Sequence, residues 1–294
     1  KSNQHLKPER KVISLEKTSL DFWEEFPIEK LIKIKGRKIL IVDDNRELRN
    51  YLNLILSGTF EIFEAENGQE GLKTALEIQP AAILSDLVMP VMNGIEFCKA
   101  IKNSTATSHI PVVLLTSASQ EESQLPGYQA GADVYLNKPV KKELLIHVIL
   151  NLLQNQEKIH ERMRESILDK NIIYPEDSSI NKLDEEFLRK LIDFIEVNIS
   201  NTTIDARSIS DELGMSRSVL YSKIKTLTGQ SVHEFIKSVR LKKSLKLLLE
   251  GKLTISQIAL EVGFNSHSYF DKCFIKYYGV GPKEYVNNKK KKIA

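Results

Sequence analysis

Three aspartates close apolar runs in the first half of the chain, and their placement suits metal-assisted phosphoryl chemistry. Asp43 and Asp44 follow Lys38-Ile39-Leu40-Ile41-Val42, and Asp86 follows the run Ala81 to Ser85. Thr116 ends the run that starts at Pro111, and Lys138-Pro139 follow Val134 to Leu136. If each run is a strand of one parallel sheet, these polar groups share its carboxyl edge. Open α/β sheets bind ligands there, at the topological switch point. Three adjacent carboxylates repel one another and call for a divalent cation, and hard oxygen donors in an incomplete shell suit Mg2+ with waters. A carboxylate beside Mg2+ can attack a phosphoryl group. Lys138 and the Thr116 hydroxyl are then placed to bind its oxygens as charge develops. Taken singly, an Asp or Thr at a strand end serves as well for a cap or a turn; it is the combination that points to chemistry.

The elements that would position these groups alternate. Lys38 to Val42 is a largely apolar run rich in β-branched residues, as in a strand buried on both faces. A helix with apolar Leu48, Leu52, Ile55 and Leu56 follows it. Then come Phe60 to Ala65, a helix from Gln69, Ala81 to Ser85, a helix from Gly94, Pro111 to Thr116, a weaker helix, and Val134 to Leu136. Five strands separated by helices predict a doubly wound parallel sheet with right-handed crossovers. A last helix begins near Lys141, with Leu144, Val148 and Leu152 on one face and a polar tail through Arg164. Residues 169–183 read as a joint rich in turn formers.

After Asp184 the strand pattern stops. Phe187, Leu188, Leu191, Ile192, Ile195 and Ile199 mark an amphipathic helix. Ile209, Glu212, Leu213 and Gly214 then recur as Ile258, Glu261, Val262 and Gly263. Each copy is a short helix, a glycine turn and a second helix opened by Ser216 or Ser266 at the N-cap. Such a unit is a helix-turn-helix, whose glycine supplies the positive φ of the turn. Between the copies lies a helix carrying Val232, Phe235, Ile236, Val239 and Leu245. The fold class expected is therefore α/β followed by all-α.

Length and composition agree. The chain has 294 residues, enough for two domains, with 41% hydrophobic and 28% charged residues. Its two cysteines, Cys98 and Cys273, cannot build a disulfide scaffold or a four-cysteine zinc site, and they suit a reducing compartment. The longest apolar stretch, Leu144 to Leu153, is interrupted by His147 and Asn151, and no transmembrane helix or signal peptide is expected. The first residue, Lys1, suggests a fragment of a longer chain or a removed tag. The net charge of +3 conceals an asymmetry. Residues 37–140 hold 8 basic against 13 acidic side chains, and residues 201–294 hold 17 against 8. An acidic front suits a cation or phosphoryl site, and a basic back suits a polyanion.

At this point the motifs become recognisable. Ile41-Val42-Asp43-Asp44, Leu84-Ser85-Asp86-Leu87-Val88-Met89-Pro90 with Asn93-Gly94, Leu115-Thr116-Ser117 and Gly131 to Pro139 resemble response-regulator receiver domains. The resemblance covers residues 37–155 and implies a flavodoxin-like fold. It implies Asp86 as phosphoacceptor, Mg2+ held by Asp43, Asp44, Asp86 and the Val88 carbonyl, and Thr116 and Lys138 on the phosphoryl group. Tyr135 would be the aromatic that reorients with Thr116 on activation. Pro126 departs from the pattern, since a proline inside the fourth helix would kink it or force a late start. That puts the usual dimer geometry in doubt.

The second half resembles the AraC-type DNA-binding domain over residues 185–290, most specifically from Ile255-Ser256-Gln257-Ile258-Ala259 through Gly281-Pro282. The resemblance implies that each second helix enters a major groove, the two grooves lying about 34 Å apart. Arg217, Ser218, Tyr221 and Ser222 on one helix, and His267, Ser268, Asp271 and Lys272 on the other, would face bases or nearby phosphates. Lys223, Lys225 and Lys283 would hold phosphates. Arg217 could equally cap its helix or contact a phosphate. Phe264, Phe270 and Phe274 are expected in the core, and residues 291–294 as a basic tail.

Together the two resemblances imply a transcription regulator controlled by phosphorylation from a histidine kinase, dimeric when phosphorylated, with no enzymatic activity beyond its own phosphoryl transfer. The expected location is the cytoplasm, or the inner membrane's inner side if a longer protein tethers it. Residues 1–36, with His5-Leu6-Lys7-Pro8-Glu9, resemble the segment after a kinase domain in hybrid two-component proteins, or an ordinary linker. Residues 156–184 would link the two domains. The rival reading is a phosphotransfer or protein-docking receiver whose helical domain binds protein. A phosphatase is disfavoured, because Val88 stands where a second acid would be needed.

Overall fold

The computed structural model describes residues 35–117, 131–168 and 181–293. Strands β1 (Lys38–Val42), β2 (Glu61–Ala65), β3 (Ala82–Asp86), β4 (Val112–Ser117) and β5 (Val134–Lys138) alternate with helices α1 (Arg46–Leu56), α2 (Gly68–Ile78) and α3 (Gly94–Asn103). The sheet is wholly parallel, in the order β2-β1-β3-β4-β5. This is the doubly wound, flavodoxin-like arrangement expected. The strand order reverses between β1 and β3, so the switch point falls beside Asp43 and Asp86.

The central strands are closed to solvent because nearly every position is apolar. Ile39 to Val42, Ala82 to Leu84 and Val112 to Leu115 are all buried. Helix α1 packs on β1 and β2. It contributes buried Leu52 and Leu56, and the Asn45 side chain caps it by accepting from the Glu47 and Leu48 N–H groups. Helix α4 (Lys142–Leu168) follows β5. The weaker helix between β4 and β5 and its Pro126 lie outside the described residues, as do residues 1–34 and most of the joint.

The C-terminal unit is all-helical: α5 (Lys182–Val197), α6 (Ala206–Glu212), α7 (Arg217–Thr228), α8 (Val232–Glu250), α9 (Ile255–Glu261), α10 (His267–Tyr278) and α11 (Pro282–Ile293). Helix α5 starts at Lys182, where the Asn181 side chain accepts the Asp184 N–H and caps it. Two hydrophobic clusters sit one behind each helix pair. One gathers Phe187, Leu191, Ile209, Leu220 and Ile224; the other gathers Ile258, Val262, Phe264, Phe270 and Phe274. Helix α8 serves both, giving Phe235 and Val239 to the first and Leu241 and Leu248 to the second. Gly214 and Gly263 turn each pair with φ of 64° and 81°. At Gly263 the demand is doubled, since an added Cβ would lie 2.3 Å from the Ile199 carbonyl. Ser216 and Ser266 accept from the N–H groups of Val219 and Tyr269, and so cap α7 and α10.

Candidate functional site

Sheet register builds the acidic site. Val42 pairs with Ser85, so the next residues, Asp43 and Asp86, leave neighbouring strands side by side. Asp86 pairs with Leu115 and Ser117 with Lys138, which brings Thr116 and Lys138 to the same edge. Carboxylate oxygens of Asp43, Asp44 and Asp86 lie within 4.8 Å of one another. The Lys138 ammonium bridges two of them, at 2.6 Å from Asp86 Oδ1 and 3.0 Å from Asp43 Oδ2. The Val88 N–H donates to Asp86 Oδ2 at 3.2 Å, and the Asn45 N–H to Asp43 Oδ1 at 2.8 Å.

The three carboxylates differ in solvation. Asp43 is buried, Asp86 half-buried and Asp44 exposed. Burial pushes the Asp43 carboxyl above its usual range, against the lowering influence of the Asn45 N–H and of Lys138. Desolvation would depress Lys138, yet its hydrogen bonds to Asp86 and Asp43 outweigh it and hold the ammonium above its usual range. An oxygen-only donor set with excess negative charge, open on the Asp44 side, fits a hard divalent cation. Thr116 is buried, and its hydroxyl donates to the Ser117 carbonyl at 3.3 Å. Tyr135 is half-buried on β5, and Val88 is exposed. Gly94 lets the chain close behind the site: a Cβ there would lie 2.0 Å from the Asp86 carbonyl.

Arg49, which the sequence pattern did not single out, stands behind this site and touches the backbone of its acidic loop rather than its carboxylates. It is buried on α1, and its guanidinium donates to the Asp43 carbonyl at 2.8 Å. The available signal was an arginine in register with Leu52 and Leu56 on the helix's apolar stripe, with Glu64 and Glu66 at the end of the next strand to receive it.

In the helical unit, the residues expected to face DNA divide by exposure. Arg217, Ser218 and Tyr221 on α7, and His267, Ser268 and Lys272 on α10, are exposed; Ser222 and Asp271 are half-buried. Arg217 is the first helical residue, and Ser216, not Arg217, caps the helix. His267 Nε2 lies 3.5 Å from Asp271 Oδ2, one turn along. Lys225 and Lys283 are exposed, and Lys225 reaches the Gly229 carbonyl.

Lys223 is a correction. Expected on a phosphate, it is wholly buried, its ammonium paired with the Asp184 carboxylate and 5.0 Å from the centre of the Phe187 ring. Desolvation by burial lowers its pKa, opposed by Asp184. The physical reason is helical phase. Lys223 lies three residues after Leu220 and next to Ile224, on the face that packs inward.

Comparison with known proteins agrees with this architecture. The family model for the response regulator receiver domain matches residues 39–150, and a helix-turn-helix domain model matches residues 209–288. Histidine kinase P4 of Formosa agariphila is 40% identical over 270 residues, covering 92% of this chain and 19% of that protein. The chain thus spans about a fifth of that relative's length. Chemotaxis protein CheY of Halobacterium salinarum is 40% identical over 119 residues, covering 40% of this chain and 98% of that protein. Transcriptional regulatory protein ResD of Bacillus subtilis is 39% identical over 113 residues, covering 38% of this chain and 46% of that protein. No helix among the described residues is long and apolar enough to cross a membrane.

Proposed function

The chain belongs to the response-regulator receiver family over residues 39–150 and carries a helix-turn-helix domain of the AraC type behind it, and from that premise we propose that Asp86 accepts a phosphoryl group and thereby controls DNA binding by α7 and α10. The single observation that carries this is the bridge from Lys138 to both Asp86 and Asp43, with Asp44 completing a triad of carboxylates within 4.8 Å. Receiver 37–155 and DNA-binding domain 185–290 are the proposed working parts. The similarity to Histidine kinase P4, which runs through both, supports a histidine kinase as phosphoryl donor.

In this reading Asp43, Asp44, Asp86 and the Val88 carbonyl hold Mg2+. When bound, the ion neutralises charge on the carboxylates and on the incoming phosphoryl oxygens. The other steps belong to the chain. An Asp86 carboxylate oxygen attacks phosphorus, forming a P–O bond while the bond from phosphorus to the donor nitrogen or oxygen breaks, and the donor leaves with that electron pair. Lys138 gives up its contact with Asp86 and follows the negative charge onto a phosphoryl oxygen. The Thr116 hydroxyl turns from the Ser117 carbonyl to a second oxygen, and Tyr135 follows the space that Thr116 vacates.

On the DNA side, α8 separates the two helix pairs. Its 19 residues span about 28 Å at 1.5 Å each. That is close to the roughly 34 Å repeat of the major groove. Exposed Arg217, Ser218, Tyr221, His267, Ser268 and Lys272, with half-buried Ser222 and Asp271, would read bases and nearby phosphates. Genomic footprinting with and without an acyl-phosphate donor tests the proposal. It expects discrete protected sites that strengthen with phosphorylation. Retention that is uniform across sequences and vanishes steeply with salt would instead favour a protein-docking role for the helical domain.

A further inference from the structure

We infer that Arg49 is a positioning residue for Mg2+ capture, acting through the backbone of the acidic loop rather than on the ion itself. The inference rests on the reading of Asp43, Asp44 and Asp86 as a Mg2+ site. Arg49 Nη1 donates to the Asp43 carbonyl at 2.8 Å and to the Asp44 carbonyl at 3.4 Å. Its Nε donates to Glu64 Oε2 at 3.2 Å, and Nη2 to Glu66 Oε1 at 2.8 Å. The guanidinium thus spans two structures: the loop that presents two of the carboxylates, and the end of β2. Glu64 is itself fixed from α1, since Asn53 Nδ2 donates to its other oxygen at 2.8 Å. The Glu66 N–H is held by Glu70 Oε2 at 2.9 Å.

The geometry matters because Mg2+ tolerates little error: it demands near-octahedral ligands at about 2.0–2.1 Å. Asp43 and Asp44 are successive residues, so their side chains leave the loop in different directions. Both reach one ion only while the intervening peptide keeps its orientation. The carbonyls that Arg49 holds are those of these two residues. A planar, permanently charged fork with five donors can serve two carbonyls and two carboxylates at once; an ammonium cannot. Only 5% of Arg49 is exposed, and its bond to the Asp43 carbonyl is buried, so that contact is not diluted by water. The rival is a purely structural role, in which Arg49 stabilises the fold and the metal site is indifferent to it.

The test is a calorimetric titration of Mg2+ into the full chain, paired with phosphorylation rates measured across Mg2+ concentrations. Arg49→Met should weaken Mg2+ binding by about tenfold, the lower end for residues that orient metal ligands, and Arg49→Lys should fall between it and the unaltered chain. The rate at saturating Mg2+ should stay close to that of the unaltered chain, because Asp86, Lys138 and Thr116 are untouched. Glu66→Gln is the milder probe. Glu66 is 69% exposed, so its loss spares the fold, yet it releases one end of the strut and should weaken Mg2+ binding by a smaller factor. Unchanged Mg2+ affinity in Glu66→Gln together with unchanged affinity, or failure to fold, in Arg49→Met would overturn the inference. So would a saturating rate that falls in proportion to affinity. If the unaltered chain itself binds no Mg2+, the reading of the site fails instead, and the two failures are distinguishable.

Discussion

Lys223 on α7 and Asp184 on α5 form an ion pair closed to solvent, the two residues being 0% and 2% exposed. A recognition helix would gain nothing in DNA contact from a lysine held there. Lys223→Ala should therefore act on folding: it strands the Asp184 charge in the interior, at a cost of about 3–5 kcal/mol. Lys223→Met combined with Asp184→Leu should recover most of that loss in urea unfolding of the full chain. In DNA binding, the salt slope of a folded Lys223 variant should equal that of the unaltered chain, since no phosphate contact is removed. A slope reduced by about one unit would show that Lys223 reaches DNA after all.

Arg217 and Lys283 should separate reading from positioning. Arg217 is exposed at the start of α7, and its fork suits the two acceptors of a guanine edge. Arg217→Ala should cost about 1–3 kcal/mol of discrimination at one position of the site. Lys283→Ala should lower affinity for all sequences alike and flatten the salt slope. Binding-site selection with both variants is the measurement. Uniform loss for Arg217→Ala would make it a phosphate contact.

Phosphorylated Asp86 should be long-lived. Val88, two residues on, is 58% exposed and offers no group that could orient or activate a hydrolytic water. Val88→Glu should quicken decay of the phosphorylated form, whereas Val88→Leu should leave it unchanged. Decay followed by intact mass would decide the matter, and an unaltered rate in Val88→Glu would remove Val88 from the explanation. Ala118, the other apolar neighbour expected from the sequence, lies outside the described residues.

His109 should make the fold acid-sensitive. It is buried, and neither ring nitrogen has a hydrogen-bond partner among the described residues. Burial above all, then the charges of Lys223 and Lys102, holds its pKa well below the usual 6.5. The folded imidazole is neutral while the unfolded one titrates near 6.5. As pH falls below that value, the unfolded chain takes up a proton that the folded chain refuses. Stability should therefore drop, by up to about 1.4 kcal/mol per pH unit, until the depressed folded pKa is reached. His109→Leu should remove this part of the pH dependence. If urea midpoints of the two chains run parallel from pH 7 to pH 5, His109 is not the sensor.

The sheet and its acidic edge were readable in the sequence because buried parallel strands leave unmistakable apolar runs, and Asp43, Asp86, Thr116 and Lys138 each stand at the end of one. The helix-turn-helix repeat was readable for a similar reason, Gly214 and Gly263 being required by positive φ and Ser216 and Ser266 by capping. Lys223 was misplaced because charge alone was taken to mean exposure. The phase of α7, with Val219, Leu220 and Ile224 inward, was the better guide. Arg49 went unnoticed because its partners come from two other segments, two backbone carbonyls of the loop after β1 and two carboxylates at the end of β2, and register alone does not reveal such a meeting.

The claim that Asp86 is a Mg2+-dependent phosphoacceptor is tested most directly by intact-mass spectrometry after incubation with a small acyl-phosphate donor. The chain should gain the mass of one phosphoryl group when Mg2+ is present and none under chelation, and Asp86→Ala should gain none in either condition. Modification that persists in Asp86→Ala, or that is unchanged by removing the metal, would contradict the account.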